Sequence, residues 1–192
     1  MSRVFNVKMG MGAKVRMDLD FKFDKFLGVL DRDALAEIRK QIEIGAARGV
    51  GFLADKVREF YTNGIPGHAS LHPFTIQQKG HSTPLFDSGN LARSVRVVVR
   101  RQSSRTNFIV TVAPGLETIK ASIAEEGAVL PVTAKMRRFL ASRGFRLRKS
   151  TSFIAVPARP VFEKAIDATL PAIEKAIIDQ MERGFGKIFG RF

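Results

Sequence analysis

The sequence predicts an α+β fold: a small antiparallel β-sheet packed against a long N-terminal helix and a C-terminal helix, with long loops. Three observations carry this. Residues 15–23 alternate strictly between apolar and polar side chains, the period of a half-buried strand. Two runs rich in β-branched residues, 95–101 and 107–113, lie one hairpin link apart. Two longer stretches, 33–62 and 160–185, repeat apolar side chains at helical spacing.

Taken in order, residues 1–14 read as a flexible arm. In the first strand Val15, Met17, Leu19, Phe21 and Phe23 share one face, and Arg16, Asp18, Asp20 and Lys22 the other. The helix at 33–62 takes Asp31 or Asp33 as a first-turn cap. Its apolar residues include Leu35, Ile38, Ile42, Ala46, Leu53, Val57 and Phe60. Gly45, Gly49 and Gly51 interrupt it, each at a cost of about 1 kcal/mol against alanine, so either a kink or a close helix approach is expected. Asn63-Gly64 and Pro66-Gly67 end it. Residues 63–86 form a long irregular stretch holding His68, His72 and His81, and a loop of that length reads as a contact loop.

In the hairpin Val95, Val97 and Val99 oppose Arg96, Val98 and Arg100, with 102–106 as the link. A short helix covers 117–126 and stops at Gly127. Thr133 caps another over 134–143 that ends at Gly144. Residues 152–156 read as a strand. Pro160 opens the final helix where a first-turn proline is tolerated, and Pro171 is expected to bend or divide it. The tail, 186–192, is expected to pack on a neighbour. Residues 15–185 thus make one domain, which suits a chain of 192 residues.

Composition narrows the function. The chain has no cysteine, which excludes a disulfide scaffold, a thiolate metal site and a cysteine nucleophile. Its first residues lack the apolar core of a signal peptide, and no uncharged apolar run reaches membrane-spanning length. A soluble protein of its producer's cytoplasm, with no membrane partner, is expected.

Enzyme signatures fail one by one. His68 and His72 are four apart, a zinc-binding spacing on a helix, but Pro66 and Pro73 flank them and no acid lies between residues 60 and 86. Ser82, His81 and Asp87 lack the sharp turn that exposes a serine nucleophile; Asp87 is better placed to cap the turn carrying Leu91. The glycine pairs lack dinucleotide or phosphate-loop spacing. Glu125 and Glu126 are adjacent and point in different directions. No catalytic residue, cofactor or metal is expected.

Charge is more informative. Lys plus Arg number 32 against 18 acids, a net +14. Residues 90–160 hold fourteen basic and three acidic side chains, +11 of that total. Such a concentration attracts polyanions or acidic surfaces. The densest part, 135–149, includes Arg137, Arg138, Arg146 and Arg148. An acidic protein surface and nucleic-acid backbone both remain open as partners. In Val156-Pro157-Ala158-Arg159-Pro160-Val161-Phe162 two prolines stiffen the backbone, and Arg159 projects a planar fork suited to carboxylate or carbonyl oxygens. The segment turns a strand into the last helix or meets another subunit.

Three segments also carry a resemblance. Pro84-Leu85-Phe86-Asp87-Ser88-Gly89-Asn90-Leu91-Ala92-Arg93-Ser94-Val95 resembles the "PL-x-D-T/S-G-x-L-x-x-S-I" stretch of phage virion morphogenesis proteins, which include tail-completion and head–tail joining proteins of tailed bacteriophages. Residues 156–162 resemble that family's "I-P-A-R-P-F" signature, and Ile123-Ala124-Glu125-Glu126-Gly127 is similar to its "A-x-x-H/E-x-G" stretch. Ser88 and Val161 depart from the commoner residues, and the basic 128–150 segment looks like an insertion. The resemblance implies a structural virion protein that is not an enzyme. It implies a homo-oligomeric ring, usually six-fold, at the head–tail junction, assembled in the host cytoplasm, with genomic DNA passing through. The implied partners are further copies of the chain, the head connector or adaptor, and tail terminator or tail tube proteins. Asp87, Gly89, Leu91 and Arg159 then fall to fold integrity and subunit contact, and Arg137, Arg138, Arg146 and Arg148 to neighbouring virion proteins. A nonspecific nucleic-acid-binding protein is the rival reading.

Overall fold

The computed structural model describes residues 5–9, 14–20, 32–68, 70–83, 85, 88–102, 105–113 and 116–190. The fold is α+β, as the periodicities indicate. Strands β1 (Phe5–Met9), β2 (Lys14–Asp20), β3 (Val95–Gln102) and β4 (Arg105–Val112) form an antiparallel sheet ordered β1-β2-β4-β3. A two-stranded antiparallel ribbon pairs β5 (Ala128–Pro131) with β6 (Phe153–Val156). The helices are α1 (Arg32–Asn63), α2 (Pro73–Lys79), α3 (Asn90–Arg93), α4 (Leu116–Glu126), α5 (Ala134–Ser142) and α6 (Val161–Phe189).

The principal contact is α1 against α6. They run antiparallel: Gly45 faces Ala176 and Ile177, Gly49 faces Ile173, and Gly184 faces Gln41 and Ile38. A Cβ on Gly45 would lie 2.7 Å from the Ala176 carbonyl oxygen and 2.8 Å from the Ile177 Cα. The interrupting glycines therefore mark a close helix approach, and α1 continues through them. Gly51 differs, with nothing near its missing side chain. Ile38, Ile42, Ala46, Val50, Leu53 and Val57 of α1 are buried with Phe162, Ala165, Ile173 and Ile177 of α6. Burying such side chains stabilises by about 1.5–3 kcal/mol each.

The sheet closes on the same core through Val15, Met17, Val95, Phe108, Val110 and Val112. Thr106 donates to the Glu43 carboxylate at 2.7 Å, tying β4 to α1. Val97 and Val99 share the core-side face with Val95 but stay 40% and 46% exposed. They lie on an edge strand, and Val99 borders a groove beside Ile44 and Ala47 of α1.

Several expectations are corrected. Residues 5–9 of the expected arm are a strand, held by the Phe5↔Leu19 to Met9↔Val15 register. The hairpin link is shorter than 102–106, because Gln102 pairs with Arg105. The 63–86 stretch contains α2, whose first turn is capped by His72: its Nδ1 accepts from the Phe74 N–H at 3.2 Å. Pro171 does not divide α6, and the residues expected as a tail continue the helix to Phe189. Pro171 lies on the exposed face, as does Asp167, whose carbonyl loses its partner there, so water can satisfy it. Phe185 packs back on the core and stacks on Phe189 at 6.2 Å. Phe21, Phe23 and Asp31 lie outside the described residues.

Candidate functional site

Two regions gather the residues singled out by the sequence. The first is a node where three separated segments meet. The short α3 turn begins after Gly89, which adopts φ 74°, a left-handed conformation that glycine takes without strain. It places Leu91 in the core, 9% exposed. Leu91 thus packs into the hydrophobic core. Asp87 lies outside the described residues.

Gly127, at φ 72°, ends α4. A Cβ there would lie 2.8 Å from the Val156 carbonyl oxygen and 2.9 Å from the Ala158 nitrogen. This bare contact lets the chain after β6 lie on the α4 terminus. The Arg159 N–H donates to the Ala124 carbonyl at 2.6 Å, and the Phe162 N–H donates to Glu125 Oε1 at 2.7 Å. Glu125 thereby caps α6 from a distant helix, in place of the usual preceding side chain. Arg159 is itself buried, at 9% exposure. It sits inside the node, a correction to the projecting fork expected from its proline-flanked segment.

Electrostatics at the node follow from burial. Burial pushes the Glu125 carboxyl up to about 7, against the Phe162 and Val161 N–H groups that hold it down; Glu163 and Glu126 add to the rise. Burial also pushes the Tyr61 phenol well above its ordinary value, with the Glu125 charge contributing. Tyr61 packs edge-on against Phe162 at 6.4 Å. Its hydroxyl and Glu125 Oε2 are both buried without a hydrogen-bond partner among the described residues. A cleft of about 270 Å³ opens beside Tyr61, walled by Gly89, Asn90, Leu91, Glu117 and Lys120 among others. Glu117 and Lys120, one turn apart on α4, pair along its wall at 2.9 Å.

Neither Tyr61 nor Glu125 stood out in the sequence as a site residue. The signal for Glu125 is its phase: with Ala121 and Ala124 it falls on the buried stripe of α4. Tyr61 is the chain's single tyrosine, at the end of the α1 apolar stripe.

The second region is the lobe between β5 and β6. Thr133 caps α5 by accepting from the Met136 N–H. Arg137 turns inward and donates to the carbonyls of Arg148, Lys149 and Thr151. It is a clamp for the returning loop. Arg143 donates to Gln78 Oε1 at 2.7 Å and lies over the Phe139 ring at 5.4 Å. Phe145 packs on Phe74 at 4.7 Å and on His72 at 5.6 Å. The expected contact loop thus supports the basic lobe of its own chain. Arg138, Arg146 and Arg148 are exposed, together with Lys135 and Lys149.

The outer face of the β5–β6 ribbon is apolar, formed by Val129, Pro131, Phe153 and Ala155. Val129 is 68% and Phe153 62% exposed. Among the described residues, no group of His, Asp and Glu side chains could hold a metal ion, and no helix is long and apolar enough to cross a membrane. No family model, curated protein or solved structure matches this chain.

Proposed function

We propose that this chain is a structural virion protein of a tailed phage: a tail-completion or neck component that forms a ring at the head–tail junction. The observation that carries the reading is the convergence of the three motif segments. Residues 88–95, 123–127 and 156–162 are far apart in sequence, yet Leu91, Glu125 and Phe162 gather around Tyr61 in one node. A motif set that builds one structural unit is what a shared fold requires. The ring, its six-fold symmetry and its head and tail partners come from the family resemblance.

The surfaces fit self-association. Among the described residues the sheet ends in two open edges, β1 and β3. In a four-stranded antiparallel sheet these edges run in opposite directions, so a rotated copy can extend the sheet antiparallel, head to tail. Val97, Val98 and Val99 on β3 are 40%, 37% and 46% exposed, the kind of edge that other proteins cover or charge. Beside it a groove of about 630 Å³ runs between Ile44, Ala47, Val99 and Phe108, with Lys40 and Glu43 at its rim.

Mass photometry of the purified chain tests this reading. Wild type is expected to form closed multimers, and Val97→Lys with Val99→Lys is expected to give folded monomer. A wild-type chain that stays monomeric alone and in the presence of connector and tail proteins refutes it.

A further inference from the structure

We propose that the β5–α5–β6 lobe is a sequence-independent binding surface for the phosphate backbone of duplex DNA. This goes beyond the ring reading, which gives DNA a passage and assigns no residues to hold it. Residues 127–162 contain eight basic side chains and no acidic one. Six of these are exposed; Arg143 is hydrogen-bonded to Gln78, and the other five are Lys135, Arg138, Arg146, Arg148 and Lys149. Among the described residues none of the five forms an ion pair.

Their presentation is built. On α5, Lys135 and Arg138 are three residues apart and share the outer face. After Gly144, at φ 84°, the returning chain alternates: Phe145 and Leu147 are half-buried while Arg146 and Arg148 point out. Arg137 holds the end of that segment through three backbone carbonyls, and Phe145 anchors its start on Phe74. The outward cations therefore sit on a fixed frame, and less ordering is lost when they are engaged.

The choice of a phosphate backbone over an acidic protein rests on pattern. A protein partner presents acids at particular places among other groups, and its interface core is depleted of charge. A surface of one sign with no acid within it has no such register. It suits a partner whose charge is uniform along its length. Three of the five cations are arginines, whose planar fork bonds phosphate oxygens in pairs. The lobe carries no motif for reading bases, so binding is by charge.

The test measures binding of a fluorescently labelled 30-base-pair duplex of arbitrary sequence to the full chain, by anisotropy across a salt series. Five contacts predict a slope of log affinity on log salt of about −4 to −5. Arg138→Ser, Arg146→Ser and Arg148→Ser together should reduce its magnitude by about 2.7, so between 50 and 200 mM salt the wild type loses about 40-fold more affinity than the variant. Lys135→Ser with Lys149→Ser should independently reduce it by about 2. Lys175→Gln with Arg183→Gln, on the far helix α6, should leave it unchanged. Absence of binding at low salt, slopes that ignore both lobe variants, or displacement of the duplex by poly-glutamate as effectively as by unlabelled duplex would each overturn the proposal. The last result would assign the lobe to an acidic protein. Ring formation by the same preparations is read separately by mass photometry, so failure here leaves the assembly reading standing.

Discussion

Glu125→Gln is the substitution whose effect follows most directly from the node. The carboxyl holds the start of α6 through Phe162 N–H at 2.7 Å, and its other oxygen is buried without a partner among the described residues. Burial raises its pKa from 4.5 to about 7. The folded chain therefore holds this proton more tightly than the unfolded chain does. The stabilisation it gives is complete below about pH 4.5 and is lost as pH rises through about 7. Integrated from pH 5 to pH 8, two such values give a loss of about 2.5 kcal/mol. Glu125 lies at the edge of the core, so solvent screening reduces this to about 1–2 kcal/mol. For a chain of this size that is about 2–8 °C in Tm. Glutamine keeps the oxygen that accepts from Phe162 and cannot titrate. Thermal unfolding of both proteins at pH 5, 6, 7 and 8 should show the wild type losing stability relative to the variant as pH rises. Parallel curves over that range refute the account of the node.

Other outcomes follow from the helix contact and the lobe. Gly45→Ala and Gly51→Ala gain the same helix propensity, about 1 kcal/mol, but only Gly45 faces backbone, at 2.7 Å. Chemical denaturation should rank Gly51→Ala above Gly45→Ala by about 1–3 kcal/mol; equal values would mean the two helices are free to separate. Arg137→Ala should loosen the lobe while Arg138→Ala leaves it intact, seen as amide-exchange protection lost around 148–151 in the first variant alone. Gly127→Ala meets the Val156 carbonyl oxygen at 2.8 Å in a left-handed backbone, and should cost at least about 1 kcal/mol by the same denaturation measurement.

Some of this was legible in the sequence and some was not, for physical reasons. Helices α1 and α6, strand β2 and the β3–β4 hairpin rest on local periodicity, which the sequence displays. Strand β5 is four residues ending in proline, and its partner β6 starts more than twenty residues later; no local pattern carries such a pairing. Strand β1 is short and precedes glycines, and α2 is hidden among prolines and glycines. At the candidate site the concentration of charge was legible but its division of labour was not. Arg137 and Arg138 are neighbours of the same type, and only their helical phase sends one to the returning loop and the other to the surface. Glu125 was set aside as half of an acidic pair, because its cap on α6 depends on a chain crossing 37 residues away.

Electron microscopy of phage particles made with and without this chain tests the central claim most directly. If the chain is a ring component of the neck, its loss leaves filled heads and finished tails as separate objects, and adding back the purified protein joins them. Normal, infectious, joined particles assembled in its absence would contradict the account.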